Sequence, residues 1–318
     1  ISIFTTNFQV MLFGRLLQGL GVAGPRTVTV ALIRDLYEGR TMARVMSFVM
    51  GVFILIPIVA PALGQGIILV THWRAIFIVY LILTLIMLGW FAIRQAETLL
   101  PDQRIPFQTK VIIEAAREVF TNRISLGYML VMGFISGPFI GFLSSAQLIF
   151  QDQYNVGTLF PFYFALLGVA SGIAFFLNSQ LVMRYGMRLL SNQSTVALCL
   201  ISVSFFVIAA IMAGNPPLWA TVVYFMVTFF MVGILFGNLN ALAMEPLGHI
   251  AGVGAAVIGS LSNLMAVPLG AVIGMSYNRS VLPLVGGFAL FSLISLGIMY
   301  WVEQGEERRD LSPGLSEE

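Results

Sequence analysis

Runs of about 20 apolar residues recur along the whole chain and constrain its fold more than any other feature. A helix needs a run of about this length to cross the hydrocarbon of a bilayer. We predict nine such helices, at 8–33, 43–70, 75–93, 125–149, 159–180, 193–213, 217–242, 250–276 and 283–302. Apolar residues make up 58% of the chain and charged residues only 9%, which excludes an ordinary soluble domain. The predicted fold class is therefore an all-α integral membrane protein.

The longest polar stretch, residues 94–123, separates the third predicted span from the fourth. We predict that it is a loop with a short surface helix. When alternate loops are sorted into two sets, one set contains twelve Arg and Lys residues and the other contains two. Since cytoplasmic loops are enriched in these residues, loop 94–123 and the tail 303–318 are predicted to be cytoplasmic.

Two segments, 58–67 and 265–274, each contain a proline followed closely by glycine within an apolar run, and they lie six predicted helices apart. Parallel six-helix repeats are typical of two-halved transporters. The alternative is that any two membrane helices rich in Gly and Pro look alike. On the repeat interpretation, residues 1–93 are the last three helices of one bundle and 124–302 are the complete second bundle. We then expect three further helices before Ile1, so that nine of twelve are present.

Two arginines, Arg15 and Arg26, lie inside the first apolar run. They are eleven residues apart, so at about 100° per residue they share one helix face, and Gln18 lies on the same face. An arginine near the bilayer centre costs at least ~2.5 kcal/mol, so it normally faces a polar cavity or a partner. We predict that Arg15 faces a cavity beside Gln18, with snorkelling to the interface as the alternative. For Arg26 both interpretations stay open.

Other residues in the predicted spans are candidates with two interpretations each. The aromatic residues either pack or line an adaptable pocket for bulky ligands, and the polar ones either join helices by hydrogen bonds or line a cavity. The glycines either allow close helix packing or take part in conformational change. These candidates are Phe134, Phe142, Ser145, Asn240, Asn263, Gly19, Gly21 and Gly64.

The acidic residues and histidines exclude several functions. None of the fourteen Asp and Glu residues lies in the middle of a predicted span, and both histidines are at loop positions. No catalytic set or metal site is therefore predicted, and we expect neither an enzyme nor a cofactor. A net charge of +2 gives no reason to expect nucleic-acid binding. A proton-carrying acid, if the protein has one, is expected in helices that precede Ile1.

Several motifs resemble those of the major facilitator superfamily, and in particular its drug/proton antiporters of the bicyclomycin-resistance type. Residues 15–23, RLLQGLGVA, are similar to the fourth-helix motif R-x-x-Q-G-x-G-x-A. Residues 34–37, RDLY, and 60–64, APALG, resemble the region from the fourth to the fifth helix. The similarity extends along nearly the whole chain, with further segments at 72–77, 162–168, 177–186 and 240–256.

The resemblance implies a proton-coupled multidrug exporter that moves small amphipathic compounds across the bacterial inner membrane by alternating access. It also implies that Pro57 and Pro61 bend the second helix and help to seal the pathway, and that Asp35 takes part in conformational gating. The implied partners are membrane lipids, a drug-like substrate and protons, and a monomer is expected. A sugar, amino-acid or other metabolite transporter of the same superfamily is the alternative, because fold does not settle substrate.

Overall fold

The computed structural model describes residues 1–37, 39–97 and 109–310, with the side chains of Ala251, residues 305–310 and many residues between 23 and 58 outside the described part. Within these ranges all regular secondary structure is helical and no strand occurs. The prediction of an all-α chain is therefore confirmed. The chain divides into two units, Ile1–Phe107 and Gln108–Glu318, and each is described by itself.

Unit 1 contains three helices, α1 (Phe8–Leu36), α2 (Gly39–Val70) and α3 (Arg74–Arg94). Helix α1 begins after Asn7, because the Asn7 side chain accepts a hydrogen bond from the backbone nitrogen of Gln9 at 2.9 Å. Helix α3 is a continuous apolar run in which no residue is buried. Such a helix is stable where lipid, rather than water, surrounds its apolar side chains.

The described part of unit 2 contains seven helices. They are α4 (Thr109–Thr121), α5 (Arg123–Gln147), α6 (Phe160–Tyr185), α7 (Met187–Ile211), α8 (Leu218–Met244), α9 (Ala251–Met275) and α10 (Leu282–Asp310). Short π- or 3₁₀-helical segments lie between α5 and α6 and between α8 and α9. Helix α5 packs against α8, α9 and α10, while α7 packs against α8 and α10, and α6 packs against α8. The buried core of the unit lies between these helices, and an aromatic cluster around Phe142 occupies part of it.

A helix lies at each of the nine predicted spans, and the observed ends differ from the predicted ones by a few residues. Within the described residues, seven helical segments are long and apolar enough to cross a membrane, and two shorter apolar stretches, Phe8–Val22 and Val59–Val70, lie in α1 and α2. The predicted start of the sixth span at 193 was late, since α7 begins at Met187. Gly186, with a φ of 79°, ends α6 and allows α7 to begin in the polar sequence that follows.

Glycines bring α5 and α9 into close contact. A Cβ atom on Gly270 of α9 would lie 2.7 Å from Ile140 Cγ2 and 2.8 Å from the carbonyl oxygen of Gly137. A Cβ atom on Gly137 would in turn lie 2.9 Å from the Leu269 Cβ. In a membrane, packing of this kind is a main source of helix association, because lipid removes the hydrophobic driving force between helices.

Two asparagines join α6 to α8 inside unit 2. The Asn238 Nδ2 atom donates to Asn178 Oδ1 at 2.8 Å, and Asn178 Nδ2 donates to Asn238 Oδ1 at 3.2 Å. Asn238 is buried and Asn178 is partly buried. Each amide thus satisfies the other, which fixes the register of the two helices at this depth.

We expect leucine at either asparagine alone to destabilise the protein more than leucine at both. A single change leaves one amide without its partner, which costs ~1–3 kcal/mol, whereas the double change removes both polar groups. Pairs of this kind in membrane proteins show coupling energies of ~0.6 kcal/mol on average and up to ~1.7 kcal/mol. Thermal unfolding of Asn178→Leu, Asn238→Leu and the double variant measures the coupling, and strictly additive effects would show that the pair contributes none.

Candidate functional site

Arg15 lies in the apolar part of α1, seven residues after the first residue of the helix. At 1.5 Å per residue, this places its Cα roughly 10 Å along the helix axis. Its Nη1 atom donates to Gln18 Oε1 at 3.1 Å, and its guanidinium carbon lies 5.1 Å from the centroid of the Phe77 ring in α3. The structure therefore brings Arg15 and Gln18 together, as their shared helix face predicts.

The Phe77 ring also contacts Trp73, and Trp73 in turn contacts a second arginine, Arg74. The Trp73 and Phe77 rings meet edge to face with centroids 6.0 Å apart, and the Arg74 guanidinium carbon lies 4.4 Å from the Trp73 centroid. Arg74 Nη2 also donates to the carbonyl oxygen of Thr5 at 3.3 Å. We call Arg15, Gln18, Trp73, Arg74 and Phe77 the arginine–aromatic cluster.

Neither arginine of this cluster forms an ion pair within the part of the chain that the structure describes. The partners of Arg15 are a neutral amide oxygen and a ring face, and neither of them cancels its charge. A positive charge in such apolar surroundings stabilises the ionised form of any carboxylate or the binding of any anion that comes near it. The cluster can therefore bias the protonation of an acidic group.

Sequence reasoning did not identify Phe77 as a partner of Arg15. The signal was present in the segment HWRAIF, residues 72–77, where two aromatic residues lie four apart and therefore on one face of a helix. The sequence does not show that the start of α3 lies close to Arg15. The contact between Arg15 and Phe77 depends on that closeness and not on any local pattern.

The remaining candidates of unit 1 are placed as follows. Gly19 and Gly21 are exposed, and a Cβ atom on either one, or on Gly64, would meet nothing within 4 Å. Pro61 is partly buried in α2. Three further candidates have side chains outside the described part of the chain: Arg26, Asp35 and Pro57.

The aromatic and serine candidates of unit 2 lie inside its helix bundle. Phe142 is fully buried and contacts Phe229 edge to face, with centroids 4.7 Å apart. Phe134 is partly buried and stacks on Phe291 at 5.6 Å. Ser145 is buried and donates to the carbonyl oxygen of Gly141 at 2.8 Å. These three side chains pack within the unit, so we do not include them in the proposed site.

The asparagine candidates of unit 2 are exposed. Asn240 lies near the end of α8, and Asn263 lies in α9 with its Nδ2 atom 2.9 Å from the carbonyl oxygen of Gly259. Both amides keep capacity for further hydrogen bonds, so they remain candidates for substrate contact. No group of three or more metal-ligating side chains is found among the described residues.

The loops at the end of unit 2 that is predicted to be external form a connected layer. Gln153 Nε2 donates to Asn215 Oδ1 at 2.9 Å and to the carbonyl oxygen of Gly214 at 3.1 Å, and the Val281 nitrogen donates to the same carbonyl at 3.1 Å. The Tyr154 hydroxyl donates to the carbonyl oxygen of Pro216 at 2.8 Å. The Tyr154 hydroxyl is neutral at neutral pH at its ordinary pKa of 10.0, and burial raises that pKa further. These bonds join the α5–α6, α7–α8 and α9–α10 loops of the unit at one end.

Seven membrane-length apolar helices among the described residues, together with an arginine in the shorter apolar stretch of α1, are typical of a multi-pass membrane protein. The chain belongs to the Major Facilitator Superfamily, whose family description it matches over residues 1–271. Its fold class is thus the all-α membrane fold of that superfamily, and the chain is a membrane transporter.

Three relatives show which members of the superfamily the chain is similar to. It is 27% identical to the Uncharacterized MFS-type transporter YdgK of Bacillus subtilis, over 90% of this chain and 73% of the relative. It is 26% identical to the Bicyclomycin resistance protein homolog of Haemophilus influenzae, over 93% of this chain and 73% of the relative. It is also 26% identical to the Multidrug resistance protein MdtL of Escherichia coli O157:H7, over 93% of this chain and 73% of the relative.

Proposed function

We propose that the protein is a proton-coupled efflux transporter that exports small amphipathic drug-like compounds across the bacterial inner membrane by alternating access. Residues 1–93 belong to one helix bundle and residues 124–302 to the other. The names of two relatives, a bicyclomycin resistance protein homolog and a multidrug resistance protein, support the substrate class. The bacterial sources of these relatives support the inner membrane as the location.

The observation that supports proton coupling is the environment of Arg15. Its guanidinium group lies within an apolar helix, against a neutral amide and an aromatic ring. A positive charge in the membrane is costly unless it faces a polar cavity or pairs with a partner group. We propose that Arg15 lowers the pKa of a proton-carrying carboxylate that comes close to it, and that substrate binding and proton binding compete through this interaction. None of the fourteen acids of this sequence lies in the middle of a predicted span.

Phe77 is proposed to position Arg15 rather than to bind the proton. A guanidinium group over a ring face gains ~0.5–2 kcal/mol, depending on how far it is desolvated. This attraction keeps the long side chain of Arg15 directed toward the Phe77 ring, so its Nη1 atom stays beside Gln18. Without the ring, the guanidinium group can move toward the membrane interface and away from the carrier.

We expect Phe77→Leu to lower transport activity by roughly three- to tenfold, which corresponds to the loss of one cation–π contact. Phe77→Tyr keeps the ring face and should retain near-normal transport. The informative readout is the pH dependence of transport, which should shift in Phe77→Leu but not in Phe77→Tyr. An unchanged pH profile and rate in Phe77→Leu would show that the ring has no positioning role.

Substrate profiling tests the proposed function. Cells that express the protein from its natural gene, in a host lacking its own drug exporters, are expected to survive higher concentrations of amphipathic antibiotics and to accumulate less of a fluorescent amphipathic dye. Uptake of radiolabelled sugars and amino acids should be unchanged. Normal drug sensitivity together with sugar or amino-acid transport would replace the proposal by the metabolite transporter.

A further inference from the structure

Helix α4 (Thr109–Thr121) lies directly before the first membrane span of unit 2, with Asn122 alone between them. Its buried residues, Ala115 and Val119, are 3% and 0% exposed and face the rest of the unit, where α4 packs against α5 and α9. The Glu118 carboxylate contacts the His249 Nε2 atom at 3.1 Å, which ties α4 to the segment before α9. One side of this amphipathic helix is therefore buried against other parts of unit 2.

A second apolar edge of α4 makes no contact that would bury it with the part of the chain that the structure describes. Ile113 and Phe120 are 66% and 53% exposed, and they lie seven residues apart, which is two helical turns. Large apolar side chains exposed in this way on a helix that already packs by its other side need a second apolar environment.

Basic residues run beside this edge with the same spacing. Lys110 precedes Ile113 by three residues and Arg117 precedes Phe120 by three, so each cation lies one turn from an exposed apolar side chain. The two carboxylates lie farther round the helix, with Glu118 paired to His249 and Glu114 at 3.8 Å from Lys110. The Lys110–Glu114 pair is long and exposed, so it binds Lys110 weakly.

The depth of α4 follows from the start of α5. Arg123, the first residue of α5, stacks on the Trp301 ring of α10 with its guanidinium carbon 4.5 Å from the ring centroid. Trp301 and its neighbour Tyr300 are exposed. Exposed Trp and Tyr residues near the end of a membrane helix mark the level of the lipid headgroups. Phe120, three residues before Arg123, therefore lies close to the boundary between headgroups and acyl chains.

We propose that α4 is an interfacial helix that binds the anionic lipids of the cytoplasmic leaflet. Ile113 and Phe120 enter the boundary between acyl chains and headgroups, and Lys110 and Arg117 bind the phosphates of the headgroups. Apolar side chains bordered by Lys and Arg are the pattern of helices that lie in the membrane surface. The excess of Arg and Lys in the loops on this side of the protein matches the negative cytoplasmic leaflet.

Site-directed spin labelling tests the position of the apolar edge. Cys199 is the single cysteine of the chain, so a Cys199→Ala background allows one label at a time. Labels at Ile113→Cys and Phe120→Cys, in the full chain in phosphatidylcholine–phosphatidylglycerol bilayers, should be several-fold more accessible to oxygen than to a water-soluble nickel chelate. A label at Glu114→Cys, on the polar side of the same helix, should show the opposite preference. Nickel access at 113 and 120 equal to that at 114, or protection from both reagents by a protein contact, overturns the proposal.

A lipid titration tests the cations. Phosphatidylglycerol added to the protein in phosphatidylcholine nanodiscs should bind with an apparent affinity about fivefold weaker for each cation removed. The double variant Lys110→Gln/Arg117→Gln should therefore lose most of the affinity for phosphatidylglycerol. The double variant Lys110→Arg/Arg117→Lys should keep this affinity. Glycerol phosphate, which offers the same phosphate without acyl chains, should not compete. Unchanged phosphatidylglycerol binding by the double Gln variant, or effective competition by glycerol phosphate, overturns the proposal.

Discussion

Arg15→Ala is expected to reduce drug resistance and proton-linked transport to background while the protein still inserts into the membrane. Alanine removes the charge that lowers the pKa of the proposed proton carrier, so the carrier holds its proton and substrate can no longer displace it. A carboxylate within ~4–6 Å of an arginine typically has its pKa lowered by one to three units, which is a ten- to thousandfold change in proton affinity. Drug susceptibility, dye efflux and the amount of protein in the membrane measure the three parts of this expectation.

Two further variants separate the role of Arg15 from general damage. Arg15→Lys keeps the charge but loses the planar group that bonds Gln18 while it stacks on Phe77, so we expect partial rescue. Arg184→Ala is a matched control, because Arg184 is also exposed and also lies over an aromatic ring, that of Tyr185, but at the end of a span. Near-normal transport by Arg15→Ala, or equal loss in Arg184→Ala, would contradict the assigned role.

Gly270→Ala is expected to destabilise the bundle strongly for a change of one methyl group. The new Cβ would lie 2.8 Å from the backbone carbonyl oxygen of Gly137, which cannot rotate away, so α5 and α9 must separate. Overpacking of this kind typically costs ~1–3 kcal/mol, although alanine favours the helix by ~1 kcal/mol over glycine. We expect a melting temperature lower by about 5 °C in detergent.

Gly259→Ala provides the control on the same helix. Gly259 also lies within α9, but a Cβ atom there would meet nothing within 4 Å. The helix preference of alanine then acts alone, so the melting temperature should stay the same or rise. If Gly270→Ala were as stable as Gly259→Ala, the close approach of α5 and α9 would not contribute to stability.

The fold was largely predictable because the bilayer imposes one length and one pattern on every span. The nine apolar runs identified the helices, and most errors were at helix ends, where α7 extends beyond the apolar core into polar sequence. The site was less predictable. The pairing of Arg15 with Gln18 followed from helix periodicity, whereas the contact with Phe77 depends on where the start of α3 lies relative to Arg15, which no local pattern specifies.

Aromatic residues show the same limit within unit 2. Phe142 and an exposed apolar residue such as Leu143 cannot be told apart by composition, because in a membrane helix both lipid-facing and buried positions are apolar. The amphipathic helix α4 was easier to place, since it has a polar side that fixes its orientation. Sequence therefore predicts membrane helices well but predicts poorly which of their faces meet.

Proton flow is proposed to drive substrate export, and a transport assay with a controlled pH gradient measures this coupling. The protein, expressed from its natural gene, is reconstituted in liposomes that contain a pH-sensitive dye. Addition of an amphipathic substrate should then produce proton movement opposite to substrate movement, and a protonophore should abolish substrate accumulation. Arg15→Ala should show neither flux. Substrate movement that continues unchanged after the pH gradient is collapsed, with no accompanying proton flux, would contradict the account and indicate facilitated diffusion.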